Sequence, residues 1–242
     1  MATSNSSLTA VERNTDFAAE LLLNRVMNGQ LETSKGKTIN GATRHMATCH
    51  DATAYTYGVL AENVAYGKTI VEGTQNALTE LVDQVKKIRN IYSTDDSSVF
   101  DPSVTSALKS NIDSLLATEI EGVTVLGNSG RNLTLGIEGN EQITIGKANV
   151  NNSTAHAAFH NFYDELSRLS NGTSTSTSTQ IRDLCDKAMT DLYGEIATQG
   201  QQWNILDNRY TMFNEMVSSY HQFSDEQAVN MGGSMSVLDA FS

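Results

Sequence analysis

The C-terminal quarter of this chain carries an apolar seam with coiled-coil spacing. Leu192, Ile196, Gln199, Trp203, Leu206, Tyr210, Phe213, Val217 and Tyr220 follow one another at alternating steps of four and three. Such alternation keeps one stripe of side chains turned toward a partner helix for more than about three heptads. A second seam lies nearer the N-terminus: Tyr57, Leu60, Val64, Gly67, Val71, Thr74, Leu78, Leu81, Val85 and Ile88. Two seams this long satisfy each other when the chain doubles back. The spacing therefore predicts a rod whose N- and C-terminal portions pair antiparallel, with the middle of the chain at its tip. Its expected core is Leu60, Val64, Leu78, Leu81 and Val85 on one helix and Ile196, Trp203, Leu206, Tyr210 and Phe213 on the other.

Composition agrees with long helices. The 242 residues include one proline, the residue that both removes a helical donor and clashes with the preceding turn. Only 39% are hydrophobic, which suits a thin bundle with much surface and little interior. The net charge of −12 argues against nucleic acid as a partner. No apolar run reaches the roughly 18 residues of a membrane span, and the N-terminus lacks the basic start and apolar core of a cleavable signal. Cys49 and Cys185 are too few for a disulfide framework.

Along the chain, residues 5–28 read as an amphipathic helix with Leu8, Val11, Ala18, Leu21, Leu22 and Val26 on one stripe. Gly29, Gly36 and Gly41 mark a polar connector over 29–44. The first seam then runs on one helix from about Met46 to Ile91. Asp101 before Pro102 signals the start of a further helix carrying Val104, Leu108, Ile112, Leu115 and Leu116. From Gly122 the period falls to two. Val123 and Val125, Leu133 to Ile137, and Ile143 with Ile145 alternate with small or polar residues, and turn residues at 127–130 and 138–141 complete a small β-hairpin region. A short helix is expected over 154–169. Residues 170–179, almost all Ser and Thr, read as an exposed loop that accepts a peptide insertion after Ser174. The final helix is expected from Gln180 to about Ser224, with Gly232-Gly233 interrupting a short tail.

This layout resembles bacterial flagellin. Arg25-Val26-Met27-Asn28-Gly29-Gln30-Leu31 is similar to the family's Arg-Leu-Ser-Ser-Gly-Leu element. Asn63, Gly67, Gly73, Ala77-Leu78, Glu80 and Lys87-Ile88-Arg89 are similar to its Asn-Ala-x-x-Gly, Gly-Ala-Leu-x-Glu and Arg-Val-Arg pattern. Asn208-Arg209-Tyr210 resembles the Gln-Asn-Arg-Phe element of the return helix. The order and spacing of these elements span most of the chain. The departures are a short C-terminus, Thr38-Ile39-Asn40-Gly41 in place of Asp-Asp-Ala-Ala, and a Ser/Thr tract where many members carry outer domains.

The resemblance implies a mainly α fold: a long antiparallel coiled-coil-like bundle with a small β-hairpin region and termini paired in an inner helical layer. Residues 1–45 with 221–242 would form that layer, and residues 46–220 the rod. It further implies a non-enzymatic, secreted subunit that self-assembles into an extracellular helical filament, served by an export apparatus and a chaperone, with no cofactor. Leu8, Val11, Leu21, Leu22, Val26, Val229, Met231, Val237 and Leu238 would then face other subunits. A junction or adaptor protein at the filament base is the alternative within the same architecture.

Two clusters offer a reading from another class, a metal-binding or hydrolytic protein. His45, Cys49 and His50, and separately His156, His160 and Asp164, set ligand-type side chains at helical spacing. Neither has the His-Glu-x-x-His order that supplies both ligands and a general base, so surface or groove polarity is the preferred reading. A cytoplasmic coiled-coil scaffold is the remaining rival. Asn132, Asn152 and Asn171 each open an N-glycosylation sequon.

Overall fold

The computed structural model describes residues 41–93, 102–127, 132–136 and 142–239, with side chains from His50 to Asp225. The expected amphipathic helix over 5–28 lies outside the described residues, as do the side chains of His45, Cys49, Val229, Met231, Val237 and Leu238.

The chain is mainly helical. Helix α1 covers Gly41–Ile91, α2 Pro102–Leu116, α3 Ala157–Ser170 and α4 Ser178–Asp239. Between α2 and α3 lie strands β1 (Glu119–Ile120), β2 (Val123–Thr124), β3 (Leu133–Gly136) and β4 (Gln142–Ile145). Helix α1 runs through several threonines, residues that compete for backbone groups. Here Thr56, Thr69, Thr74 and Thr79 each donate to the carbonyl four residues earlier, so their hydroxyls are satisfied without leaving the helix. Helix α2 places Pro102 at its first position, where the missing N–H costs nothing.

Helix α4 begins two residues before the expected start because Thr177 and Gln180 form a reciprocal cap. The Thr177 amide donates to Gln180 Oε1 at 2.8 Å, and the Gln180 amide donates to Thr177 Oγ1 at 3.3 Å. The helix also continues past Ser224 and through Gly232-Gly233 to Asp239. Glycine inside a helix costs only about 1 kcal/mol relative to alanine, which weakens a helix without ending it.

The β region is two separate antiparallel pairs. β1 and β2 are joined by Glu121 and Gly122, both at positive φ (51° and 77°), as a tight two-residue hairpin requires. β3 pairs with β4 in the register Leu133↔Ile145 and Leu135↔Ile143. Both pairs lie against α1 at its glycines. A Cβ on Gly67 would stand 2.2 Å from Leu135 Cδ1 and 2.8 Å from Ile145 Cδ1, and one on Gly73 2.2 Å from Ile120 Cδ1.

The chain divides into two compact units: Val64–Asn208, and the remainder, represented by residues 41–63 and 209–239 among those described. In the first unit, Leu78, Leu81, Val85 and Ile88 of α1 share a core with Ile112 of α2, Leu126, Val150, Phe159, Phe162 and Leu166 of α3, and Ile181, Cys185 and Leu192 of α4. Full burial of each large side chain contributes about 1.5–3 kcal/mol. In the second unit, Ala54, Leu60 and Ala61 of α1 are buried, as is Phe213 of α4. The Tyr57 ring lies 5.9 Å from that of Phe213 and stacks on that of Tyr220 at 5.8 Å.

One core assignment is corrected. Tyr210 is 36% exposed, and Trp203 is only half-buried, whereas Leu192, Gln199, Leu206 and Phe213 are sealed. The sealed positions recur every seven residues, so one of the two heptad rows of α4 is fully covered and the other only in part.

Candidate functional site

What the sequence marks for function is the pairing surface of α1 and α4, and polar clamps set its register. In the unit Val64–Asn208, Lys68 pairs with Asp207, Arg89 with Asp186, and the Arg182 guanidinium donates to the Ser93 carbonyl at 3.0 Å. The α1 partners rise as the α4 partners fall, so the helices run antiparallel. Arg89 grips Asp186 through two bonds, Nε to Oδ1 at 2.6 Å and Nη2 to Oδ2 at 3.2 Å, a geometry that fixes rotation as well as distance. In the other unit, His50 lies beside Tyr220 and Phe223, with ring centroids 5.9 and 6.2 Å away. His50 is thus engaged with aromatic rings; its cluster partners His45 and Cys49 lie outside the described side chains.

The second histidine cluster does not converge. His156, immediately before α3, directs Nδ1 to Asp191 Oδ1 at 3.1 Å and Nε2 to Glu195 Oε2 at 3.5 Å, both on α4. His160 instead turns Nδ1 to Asn151 Oδ1 at 3.0 Å, with Asp164 Oδ2 3.6 Å from Nε2. Among the described residues no group of three His, Cys, Asp or Glu is placed to hold a metal ion. Asp191 and Glu195 were not anticipated from sequence. They stand 35 and 39 residues from His156 on another helix, and only the packing of α3 on α4 brings them together.

The Ser/Thr tract is more structured than its composition implies. Exposed residues 171–173, 175 and 177 alternate with half-buried Ser174 and Ser176, and Ser178 is buried. Ser174 and Ser176 turn inward to the buried carboxylate of Glu165, which Arg168 also holds at 2.8 Å. Burial pushes the Glu165 carboxyl up, but hydrogen bonds from Ser174, Ser176 and Arg168 outweigh it and leave the group below its ordinary value.

The three sequons differ in setting. Asn132 is exposed and its Oδ1 accepts from the Lys147 amide at 3.2 Å. Asn152 Oδ1 accepts from the amides of Thr154 and Ala155, closing the turn before α3. Asn171 is exposed at the C-terminal cap of α3. Apolar side chains also reach solvent on the helices: Tyr66, Tyr193, Ile205 and Phe223 are each more than one-third exposed. No described helix is long and apolar enough to cross a membrane.

Neither a protein-family model nor a curated protein matches the sequence. Among solved structures, the fold is similar to that described as a putative flagellar hook-associated protein from Vibrio parahaemolyticus. The TM-score is 0.58 at 12% identity, over 77% of this chain and 100% of that one. At that identity the likeness is one of fold.

Proposed function

We propose that this chain is a structural, non-enzymatic subunit that self-assembles into an extracellular helical filament of the flagellar type. The fold likeness to a flagellar hook-associated protein carries this reading, since it spans that structure's full length. The long antiparallel helices support it, as do the flagellin-like elements at Arg25–Leu31, Asn63–Arg89 and Asn208–Tyr210.

The mechanism is geometric. The paired helices supply a stiff body. Leu8, Val11, Leu21, Leu22 and Val26, with Val229, Met231, Val237 and Leu238, supply apolar faces buried only beside other subunits. Such faces find apolar partners only beside other subunits, so polymerisation proceeds at a growing end that provides the missing surface. Contacts between unlike patches repeat without closing and give a fibre instead of a ring. Delivery to that end requires an export apparatus and a chaperone that covers the apolar faces. A second reading, a hook–filament junction or adaptor protein, is favoured by the hook-associated description of the similar structure.

Electron microscopy of the purified chain separates the two. Long fibres are the filament result, short stacks or rings the adaptor result, and discrete particles under all polymerising conditions would refute both. Deleting residues 1–30 or 225–242 should leave a helical protein that no longer polymerises.

A further inference from the structure

Between Thr190 and Asn208 the outward face of α4 carries no charge. Its exposed residues, among them Tyr193, Gly194, Ala197, Gln201 and Ile205, recur at steps of three and four. At 3.6 residues per turn they fill one arc of roughly 140°, about 27 Å long. The ionisable residues of this stretch are turned to partners within the chain. Asp191 meets the His156 ring and the Phe159 amide, Glu195 accepts from Gln199, and Asp207 pairs with Lys68.

Helix α2 repeats the pattern. None of its exposed residues from Pro102 to Ser114 is charged, with Val104, Ala107 and Ser110 along the face. Its two charges, Lys109 and Asp113, pair with each other and with the Tyr163 hydroxyl of α3. The outer side of α1 in the same unit is built differently, with Glu72, Glu80, Asp83, Lys86 and Lys87 all exposed. The neutral faces are also where apolar groups reach solvent: Val104 is 45%, Tyr193 51% and Ile205 55% exposed. Lys86 meets the α4 face only at its margin, through the Tyr193 hydroxyl.

A chain of net charge −12 repels its own copies, and that repulsion is weakest where a surface carries no charge. Interface centres are depleted in charged residues for the same reason. A basic partner would be met by carboxylates, so a neutral, partly apolar face on so acidic a chain selects a second copy. We infer that the neutral face of α2 on one copy docks on the neutral face of α4 on the next. The α2 hydroxyls and the Gln201 and Asn204 amides of α4 each both donate and accept, and Val104, Tyr193 and Ile205 bury the apolar surface that the single chain leaves open. Two different faces meet, so each copy keeps one of each free and the contact repeats without closing. The inference rests on the self-assembly reading above and names one of its contacts.

Sedimentation velocity of the full-length chain under polymerising conditions tests it. Ala197→Glu on α4 and Ala107→Glu on α2 should each raise the concentration needed for association at least about tenfold, because each buries an unpaired charge. Asn76→Glu puts the same charge on the outer side of α1 and should change it less than about twofold. An equal mixture of Ala197→Glu and Ala107→Glu should give a one-to-one pair, since each brings the face the other lacks. No pair in the mixture, or self-pairing of Ala107→Glu through α4 alone, overturns the assignment. Raising salt from about 0.05 to 0.5 M should strengthen association of the wild-type chain, because only the general repulsion is screened. Weakening would mean that ion pairs hold the copies, and this arm decides even if a variant fails to fold. Normal fibres from both variants refute the contact and leave the filament reading standing. Pairs without fibres uphold the contact and refute the filament, and a wild-type chain that never associates refutes both.

Discussion

Lys68 of α1 stands over the indole ring of Trp203 of α4, with Nζ 4.7 Å from the centroid, and the same ammonium pairs with Asp207 one turn further along α4. The sequence places Trp203 opposite residues 60–67, and this contact fixes its partner at the edge of that window. Trp203 is half-buried, which lowers the cost expected for truncation. A fully buried tryptophan loses about 3–5 kcal/mol on change to alanine; Trp203→Ala should lose roughly 1–3 kcal/mol, with about 0.5–1 kcal/mol of it the cation–π term. A double-mutant cycle with Lys68→Met, read by urea denaturation, isolates that term. Strict additivity would mean the lysine contributes nothing through the ring.

Two helix glycines, Gly67 of α1 and Gly194 of α4, offer a test in which the usual rule holds at one and reverses at the other. Gly→Ala in a helix ordinarily gains up to about 1 kcal/mol. Gly194 has no atom within 4 Å of an added Cβ, so Gly194→Ala should raise Tm. Gly67→Ala should lower it, because the new methyl would overlap Cδ1 of Leu135 and of Ile145 and force these two buried side chains to repack. A stabilising Gly67→Ala would show that the pair is held elsewhere.

The legible parts of the fold were those decided by local period. Leu60, Val64, Gly67, Val71, Thr74, Leu78, Leu81, Val85 and Ile88 are all buried, because a helix packed along its length seals each step of a three-four repeat. The return seam was less legible at Trp203 and Tyr210, since spacing defines a stripe but not how far around it the partner wraps. Thr177-x-x-Gln180 was a readable cap that composition concealed, because the tract looked uniformly loop-like. The contacts of His156 were not readable at all: nothing near it in sequence points to Asp191 or Glu195.

Insertion into the Ser/Thr tract should depend on position. Ser174 and Ser176 hold Glu165, so a tag after Ser174 separates two hydroxyls that share one carboxylate. Gly172 is exposed at φ +67° with open space around it, and a tag there leaves both contacts in place. The Gly172 insertion should retain near wild-type Tm and the Ser174 insertion should not. Equal melting temperatures would show that the inward serines do not anchor the loop.

The same carboxylate predicts an acid limit. Glu165 lies below its ordinary value in the folded chain, so it contributes stability that is present above the unfolded value, about 4.3, and lost as pH falls through the folded one. Glu165→Gln should lower Tm at pH 7 and narrow the difference from wild type below pH 4. A difference that stays constant with pH would mean the hydroxyls bind the neutral side chain as well as the charged one.

Cys185 provides a clock for opening of the core. It is a free thiol, wholly buried among core residues of the Val64–Asn208 unit, and burial first, then the neighbouring Asp186 charge, pushes it up to about 12. Thiolate is the reactive form, so in the native chain the side chain is protected both by access and by protonation. Spacing along the antiparallel helices also predicts no bridge to Cys49. Alkylation at pH 8 should therefore label Cys185 only as fast as the unit opens, with complete labelling in denaturant and no disulfide-linked peptide under non-reducing mass spectrometry. Labelling of the native chain at the rate of a free cysteine would place Cys185 at the surface. A Cys49–Cys185 peptide would overturn the antiparallel pairing on which the filament proposal stands.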